Sequence, residues 1–138
     1  MKLVNTQEYV SMLRELTEQG REVNMLISGN SMSPFLMHDR DSIRLKKPDR
    51  KLRKGDMVFF QRKSGKFVMH RIIRVRKEGF YLLGDSQQSS EIEGPIKECQ
   101  IFALITSVCR KGRWIGPGNF WWEFFEHYWI RLIPFRRF

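Results

Sequence analysis

Short strand-like runs separated by glycine turns constrain the fold of this chain more than any other feature. Turn signals such as Lys54-Gly55-Asp56 and Ser64-Gly65 separate these runs, and Gly84–Gly94 fits a polar loop. Ile101–Val108 is almost continuously apolar, which indicates a central strand covered on both faces. This density of strands and turns predicts a mainly β fold, a coiled sheet or small barrel with peripheral helices. The other candidate strands are Val23–Ile27, Asp41–Lys46, Met57–Arg62, Phe67–Val75 and Phe80–Leu83.

Two amphipathic helices are predicted at the ends of the chain. The first ends at Gly20 and has one apolar face. The second follows the break at Gly116-Pro117-Gly118 and spans Phe120–Ile133, where a narrow polar stripe lies opposite a broad aromatic surface. We therefore divide the chain into a β domain with its N-terminal helix at residues 1–113 and an aromatic, basic, amphipathic tail at residues 114–138.

The length and charge of the chain limit which partners and which location we expect. The chain has 138 residues, enough for one domain with a real core, and a formal net charge of +10. Such a charge predicts attraction to an anionic peptide, membrane or nucleic acid. We find no secretory signal and no apolar run long enough to span a bilayer, so we expect a cytoplasmic or peripheral membrane protein. Cys99 and Cys109 flank one candidate strand, too far apart for a disulfide, and are expected to be packing residues.

Two basic segments leave the choice between a structural and a binding role open. Arg40–Lys54 is dense in lysine and arginine, which fits a solvated loop or a contact surface for acidic lipid or peptide. The tail fits a helix folded back over the sheet, or one that lies at a membrane–water interface, where tryptophan and basic residues are favoured. Peripheral contact of the tail with an anionic membrane is the sharper expectation. Nucleic acid is not expected, because the aromatic and basic residues cluster in different parts of the sequence.

A serine turn and a strand histidine are the candidates for chemistry. The segment Ser28-Gly29-Asn30-Ser31-Met32-Ser33-Pro34 follows the first candidate strand, and a serine at such a corner can project its hydroxyl from a sheet. The same segment also fits an ordinary turn between strands. Of the three histidines, only His70 lies in an apolar strand, where it is either a packed core residue or a base for the serine. The histidines and cysteines lack metal-ligand spacing, so neither a metal nor a cofactor is expected.

The order of these segments resembles that of the type I signal peptidase family. Four short motifs within residues 25–108 carry the resemblance: Ser31-Met32-Ser33-Pro34, Gly55-Asp56, His70-Arg71-Ile72-Ile73 and Gly84-Asp85-Ser86. The SOS-repressor-type peptidases resemble the same serine motif but use a lysine base. Histidine at the base position is similar to the endoplasmic-reticulum and archaeal type of signal peptidase. The resemblance implies a serine endopeptidase on a coiled sheet of the signal-peptidase type.

The resemblance also implies roles for individual residues. Ser31 would be the nucleophile and His70 its general base, together a Ser–His dyad. The amide of Ser31 would donate to the oxyanion, with Met32 and Ser28 as further oxyanion or substrate contacts. The partner would be a peptide or protein with an extended cleavage segment.

The acid that completes this site is open between Asp85 and Glu91. A carboxylate beside His70 would fix the tautomer of the imidazole and stabilise the imidazolium. Asp85 follows Gly84 and fits a turn equally well, while Glu91 lies in the polar loop. The chain departs from the family pattern at Ser86, which stands where the family has asparagine, and we recognise no N-terminal membrane anchor.

Three functions remain open on the sequence. The first is a serine endopeptidase that cleaves a leader or signal-like peptide after small residues, with an activity that falls as the pH drops through about 6.5. The second is a self-cleaving, repressor-type peptidase, which is disfavoured because the only alanine, Ala103, follows the serine instead of preceding it. The third is a non-catalytic basic β module that binds a membrane surface or nucleic acid.

Overall fold

A computed structural model describes residues 6–27, 29 and 31–135 of the chain, with the backbone alone at residues 6, 7 and 135. The mainly β prediction is confirmed, since an antiparallel sheet of eight strands forms the body of the protein. The strands run in the order β1-β2-β7-β3-β4-β5-β6, with β8 paired to β7. Over the described residues this path ends at β1 and β6, so the sheet is open and does not close into a barrel. The strands are β1 (Val23–Leu26), β2 (Ser42–Lys46), β3 (Met57–Gln61), β4 (Phe67–Arg76), β5 (Gly79–Leu83), β6 (Glu93–Ile96), β7 (Ile101–Arg110) and β8 (Arg113–Ile115).

Helices lie at both ends of the described chain. Helix α1 spans Thr6–Glu18. Near the C-terminus, helix α2 spans Phe120–Glu123 and is capped by Asn119, whose side chain accepts hydrogen bonds from the backbone amides of residues 121 and 122. The chain continues as a π-helix over Phe124–Tyr128 and a 3₁₀-helix over Trp129–Phe135. We call residues 120–135 the tail segment. Within the described residues, no helix combines the length and the apolar character needed to cross a bilayer.

The sequence analysis missed two strands and misjudged one cysteine. Strand β6 contains Gly94 and Pro95, which are typical of loops, but β6 lies at the edge of the sheet, where proline is tolerated. Strand β8 is only three residues long and pairs with the end of β7. Cys99 is exposed and does not pack in the core, because it lies in the short turn that precedes β7, whereas Cys109 is half-buried within β7.

The core joins the tail segment to the sheet. The largest buried cluster brings together side chains from α1, β1, β2, β7, the loop after the serine turn and the tail. Phe35, from that loop, lies 6.3 Å from the ring of Trp122 and 4.8 Å from the ring of Phe125. Ile130 and Ile133 are buried in a second cluster with residues of β4 and β5. One face of the tail segment therefore packs back on the sheet.

Candidate active site

Ser31 and His70 line the same cavity, although 39 positions separate them in the sequence. The cavity has a volume of about 310 Å³. Ser31 lies in the turn after β1, and His70 lies in β4 opposite Val58 of β3. Among the described residues no hydrogen bond joins the two side chains, and catalytic hydrogen bonds often tighten only when substrate binds. The walls are mainly apolar, formed by Val10, Met25, Ile27, Met32, Phe59, Phe67, Val68 and Met69.

The loop after β5 holds the serine turn in place. Both the backbone N–H and the hydroxyl of Ser86 donate to the carbonyl oxygen of Ser31, at 3.0 and 3.1 Å. Gly84 packs so closely that a Cβ there would lie 2.4 Å from the same carbonyl oxygen and 3.0 Å from the Cβ of Ser31. Any side chain at position 84 would therefore push the turn away, which explains why this loop carries a glycine before Asp85.

The approach to the serine is shaped by a glycine and a histidine. Gly29 has a φ of 93°, a conformation that favours glycine, and its N–H donates to Nδ1 of His38 at 2.7 Å. The other ring nitrogen of His38 lies 3.0 Å from Asp39. Met32 is buried below the turn, whereas Ser28, the predicted hydroxyl donor, lies outside the described residues. The sequence analysis singled out His70 among the three histidines and did not predict this contact of His38.

His70 is buried without a hydrogen bond to its Nδ1 atom. Only 4% of the residue is exposed, and Nδ1 has no partner among the described residues. Burial lowers the pKa of His70 from its ordinary 6.5 to about 4, while the carboxylate of Glu93 acts in the opposite direction. The imidazole is therefore neutral at physiological pH, which is the form that can accept a proton from a serine.

The carboxylate of Asp85 forms an ion pair with Arg71 and has no hydrogen bond to His70 in the described structure. Nε and Nη2 of Arg71 donate to its two carboxylate oxygens, both at 2.8 Å, and both side chains are buried. The third nitrogen of the same guanidinium donates to the carbonyl of Gly55 at 2.9 Å. The indole of Trp129, in the tail segment, donates to the backbone oxygen of Asp85 at 2.8 Å. The Asp85 carboxylate thus holds the residue next to His70 on β4.

Glu91, the other acid considered, is exposed and caps a short turn. Its two oxygens accept from the backbone of Gln88 and the side chain of Gln87. A different acid, Glu93, exerts the strongest charge effect on His70, but it forms a bidentate pair at 2.8 Å with Arg62, which also lines the cavity. Glu91 was a candidate because it lies in the loop that follows the Gly84-Asp85-Ser86 motif, whereas Glu93 lies on β6 and is placed by the pairing of β6 with β5, which local sequence does not indicate.

The four sequence motifs therefore meet at one place. Arg71 joins the Gly55 turn to Asp85, and the loop around Asp85 holds Ser31 through Gly84 and Ser86. A serine on a clamped turn and a neutral, buried imidazole face one cavity, an arrangement suited to general-base activation of a hydroxyl.

One group of side chains in the described part of the chain is close enough to share a metal ion. Glu123, Glu126 and His127 each offer one ligand atom, and these atoms lie within 4.8 Å of one another. Each carboxylate already lies 3.2 Å from Nε2 of the histidine. The group lines a separate cavity that does not include the candidate serine.

A sequence model of the Peptidase S24-like family matches residues 2–106 of the chain. The chain belongs to this family. The Peptidase S24-like match covers Ser31, His70 and Asp85 and indicates a serine peptidase type of function. The match supports the wider superfamily that includes the repressor-type peptidases. It does not single out the type I signal peptidase family, so the family predicted from the sequence is narrower than the match supports. Comparison with curated proteins and with solved structures found no match.

Proposed function

We propose that the protein is a serine endopeptidase in which Ser31 attacks the scissile carbonyl and His70 removes the hydroxyl proton. The observation that carries the proposal is the buried imidazole that shares a cavity with the clamped serine. A packed structural histidine normally satisfies both ring nitrogens, but Nδ1 of His70 has no partner among the described residues. Such an unsatisfied group lowers stability by about 1 to 3 kcal/mol, a cost more easily understood at a functional site.

The cavity and the sheet edge suggest how a peptide would bind. Among the described residues, strand β1 pairs with β2 alone, and it leads directly into the serine turn. An extended peptide added along the free side of β1 would bring its backbone past Ser31. The apolar walls of the cavity would receive a side chain next to the scissile bond, and the amide of Ser31 would donate to the oxyanion. The preference for small residues, the leader or signal-like substrate and the role of Ser28 remain implications of the resemblance.

Cleavage of a peptide library followed by mass spectrometry tests the proposal. Ser31→Ala should abolish cleavage, and His70→Ala should lower kcat/KM by roughly a hundredfold or more, because the serine loses its base. Ser33→Ala, on the same turn, is the matched control and should retain wild-type cleavage. Circular dichroism confirms that each variant folds. Wild-type cleavage by the Ser31→Ala variant would contradict the proposal.

A lysine could supply the base instead, since Lys66 also lines the cavity. The repressor-type peptidases use lysine, but Lys66 is exposed, whereas His70 is buried and neutral. We therefore expect Lys66→Ala to retain most of the activity that His70→Ala loses. A rate that still rises above about pH 9 and disappears in Lys66→Ala would assign the base to the lysine.

Self-cleavage is the second candidate function, because family membership accommodates it equally. The described chain ahead of Ser31 packs in the core through Val10, Leu13 and Met25, and Ala103 is buried in the centre of the sheet. These contacts favour a separate substrate over a cleavage site within the chain. Intact mass after long incubation discriminates the two: a constant mass is expected, and a shorter species formed by wild type but not by Ser31→Ala would establish self-cleavage.

A further inference from the structure

We propose that one face of the molecule docks on an anionic lipid bilayer. This face has two adjoining parts, and neither takes part in the peptidase chemistry proposed above. The first is an aromatic patch on the outer side of the tail segment, formed by Phe120, Trp121, Phe124, Tyr128 and Leu132. The second is a basic groove beside it, which contains the cations Lys51, Arg53, Lys54, Arg74, Arg76 and Arg131.

The aromatic patch exposes large apolar side chains although the same segment buries others. Phe120 is 69% exposed and Tyr128 is 57% exposed, whereas Trp122 and Phe125 are buried against the sheet. Phe124 lies between the exposed rings, with its centroid 6.3 Å from that of Phe120 and 6.4 Å from that of Tyr128. The tail segment is thus already anchored by one face, and the opposite face presents a continuous apolar surface to the surroundings.

The basic groove concentrates positive charge over an apolar floor. It has a volume of about 1000 Å³, and its floor includes Ile73, Val75, Ile130 and Ile133. Among the described residues, no carboxylate lines the groove, and its six cationic side chains are exposed and form no ion pair. Cations that lack acidic partners within the protein favour an anionic partner outside it.

Arg131 connects the patch to the groove. It lines both, and its guanidinium lies 5.7 Å from the ring centroid of Tyr128. At the other end of the patch, the guanidinium of Arg110 lies 5.4 Å from the ring centroid of Trp121. Glu123 is the acid that borders the patch, and it already contacts His127 and the backbone N–H of Gly118.

A lipid surface fits this combination better than a nucleic acid. Tryptophan, tyrosine and arginine together are favoured at the headgroup level of a bilayer, where rings enter the apolar boundary and cations meet the phosphates. Single-stranded nucleic acid would need aromatic rings within the basic groove for its bases to stack on, and among the described residues the apolar part of the groove is formed by aliphatic side chains. The rings lie instead on the outer side of the tail segment, where they can enter a membrane together.

Vesicle flotation of the full chain tests the proposal. The probes are phosphatidylcholine vesicles with and without about 30% phosphatidylserine, because the anionic lipid supplies the surface potential. Wild type should float with the anionic vesicles only. Removing two groove cations, Arg74→Gln with Arg76→Gln, should lower partitioning about thirtyfold, since each basic side chain near the surface contributes a factor of about five. Phe120→Ser with Tyr128→Ser should lower it at least about tenfold through the lost apolar contact.

Matched controls make the result specific to this face. Lys47→Gln with Lys63→Gln removes two exposed cations elsewhere, and Met12→Ser removes an exposed apolar side chain from α1. Both controls should float like wild type, as should the cleavage-deficient Ser31→Ala. Equal flotation of all variants, equal binding to neutral vesicles, or no binding to either would overturn the proposal. A shift of a single-stranded oligonucleotide without vesicle binding would also overturn it and assign the groove to nucleic acid.

Discussion

At the residue scale, His70 connects stability with the proposed chemistry. The fold keeps a titratable ring out of water and leaves one of its nitrogens without a described partner. Because burial lowers the pKa to about 4, the ring stays neutral far below the ordinary value of 6.5. The sequence predicted an activity that falls as the pH drops through about 6.5. The pKa of the buried ring moves the expected loss of kcat/KM to a pH near 4.

The free energy of unfolding should depend on pH through this histidine. Between pH 6.5 and about 4 the unfolded chain binds a proton that the folded chain excludes, so stability falls as the pH decreases through that window. The shift corresponds to a loss on the order of 3 kcal/mol, complete below pH 4 and absent above 6.5. Urea unfolding at about pH 7.5 and pH 4.5 measures the difference.

The variant His70→Phe separates the contribution of this histidine to the pH dependence of stability from that of the acidic groups. Phenylalanine cannot titrate, so the variant should lose at least about 2 kcal/mol less stability than wild type over the same pH interval. At neutral pH it should be no less stable than wild type, because the unpartnered Nδ1 is removed. An identical loss in both proteins would show that the ring is not buried as a neutral base.

At the element scale, a buried ion pair ties β4 to the loop after β5. The guanidinium of Arg71 donates three hydrogen bonds, two to the carboxylate of Asp85 and one to the carbonyl of Gly55. Asp85→Ala should lower the free energy of unfolding by about 3 to 5 kcal/mol, because it leaves a buried guanidinium without its counter-charge. Glu91→Ala removes the other candidate acid, which is exposed and caps a short turn, and should lower stability by no more than about 1 kcal/mol. Urea denaturation of the two variants provides the measurement.

The same two variants also separate a structural role for Asp85 from a catalytic one. If its carboxylate acts through Arg71, the loss of activity in Asp85→Ala should follow the loss of folded protein. A fully stable Asp85→Ala variant with abolished kcat would instead place the carboxylate at His70 in the working enzyme.

Local patterns predicted six of the eight strands and the two main candidate residues of the site, but not the partners of those residues. Strand β4 was predicted because apolar residues surround His70, and the serine turn was predicted from its glycine and proline. The pairing of Asp85 with Arg71 joins residues 14 positions apart on two elements, and no local spacing indicates it. The motif order, in which Asp85 follows His70, predicts the histidine as its partner, whereas the neighbouring Arg71 offers two parallel donors and binds both carboxylate oxygens.

At the scale of the whole molecule, the part of the chain outside the family match completes the core. The match ends at residue 106, yet Trp122 and Phe125 of the tail segment pack on Phe35, just after the serine turn. Trp129 also donates to the backbone of Asp85, in the loop that holds Ser31. The tail segment is therefore part of the folded body as well as the carrier of the aromatic patch.

Truncation after Gly118 should consequently prevent folding. The deletion removes four buried side chains, Trp122, Phe125, Ile130 and Ile133. At about 1.5 to 3 kcal/mol for each, their burial contributes about 6 to 12 kcal/mol, comparable with the whole stability of a typical domain, about 5 to 15 kcal/mol. The truncated chain should show no cooperative urea transition. Phe120→Ser with Tyr128→Ser alters only the exposed face and should unfold cooperatively, near the wild-type midpoint. A cooperative transition in the truncated chain would mean that the tail packs without supporting the sheet.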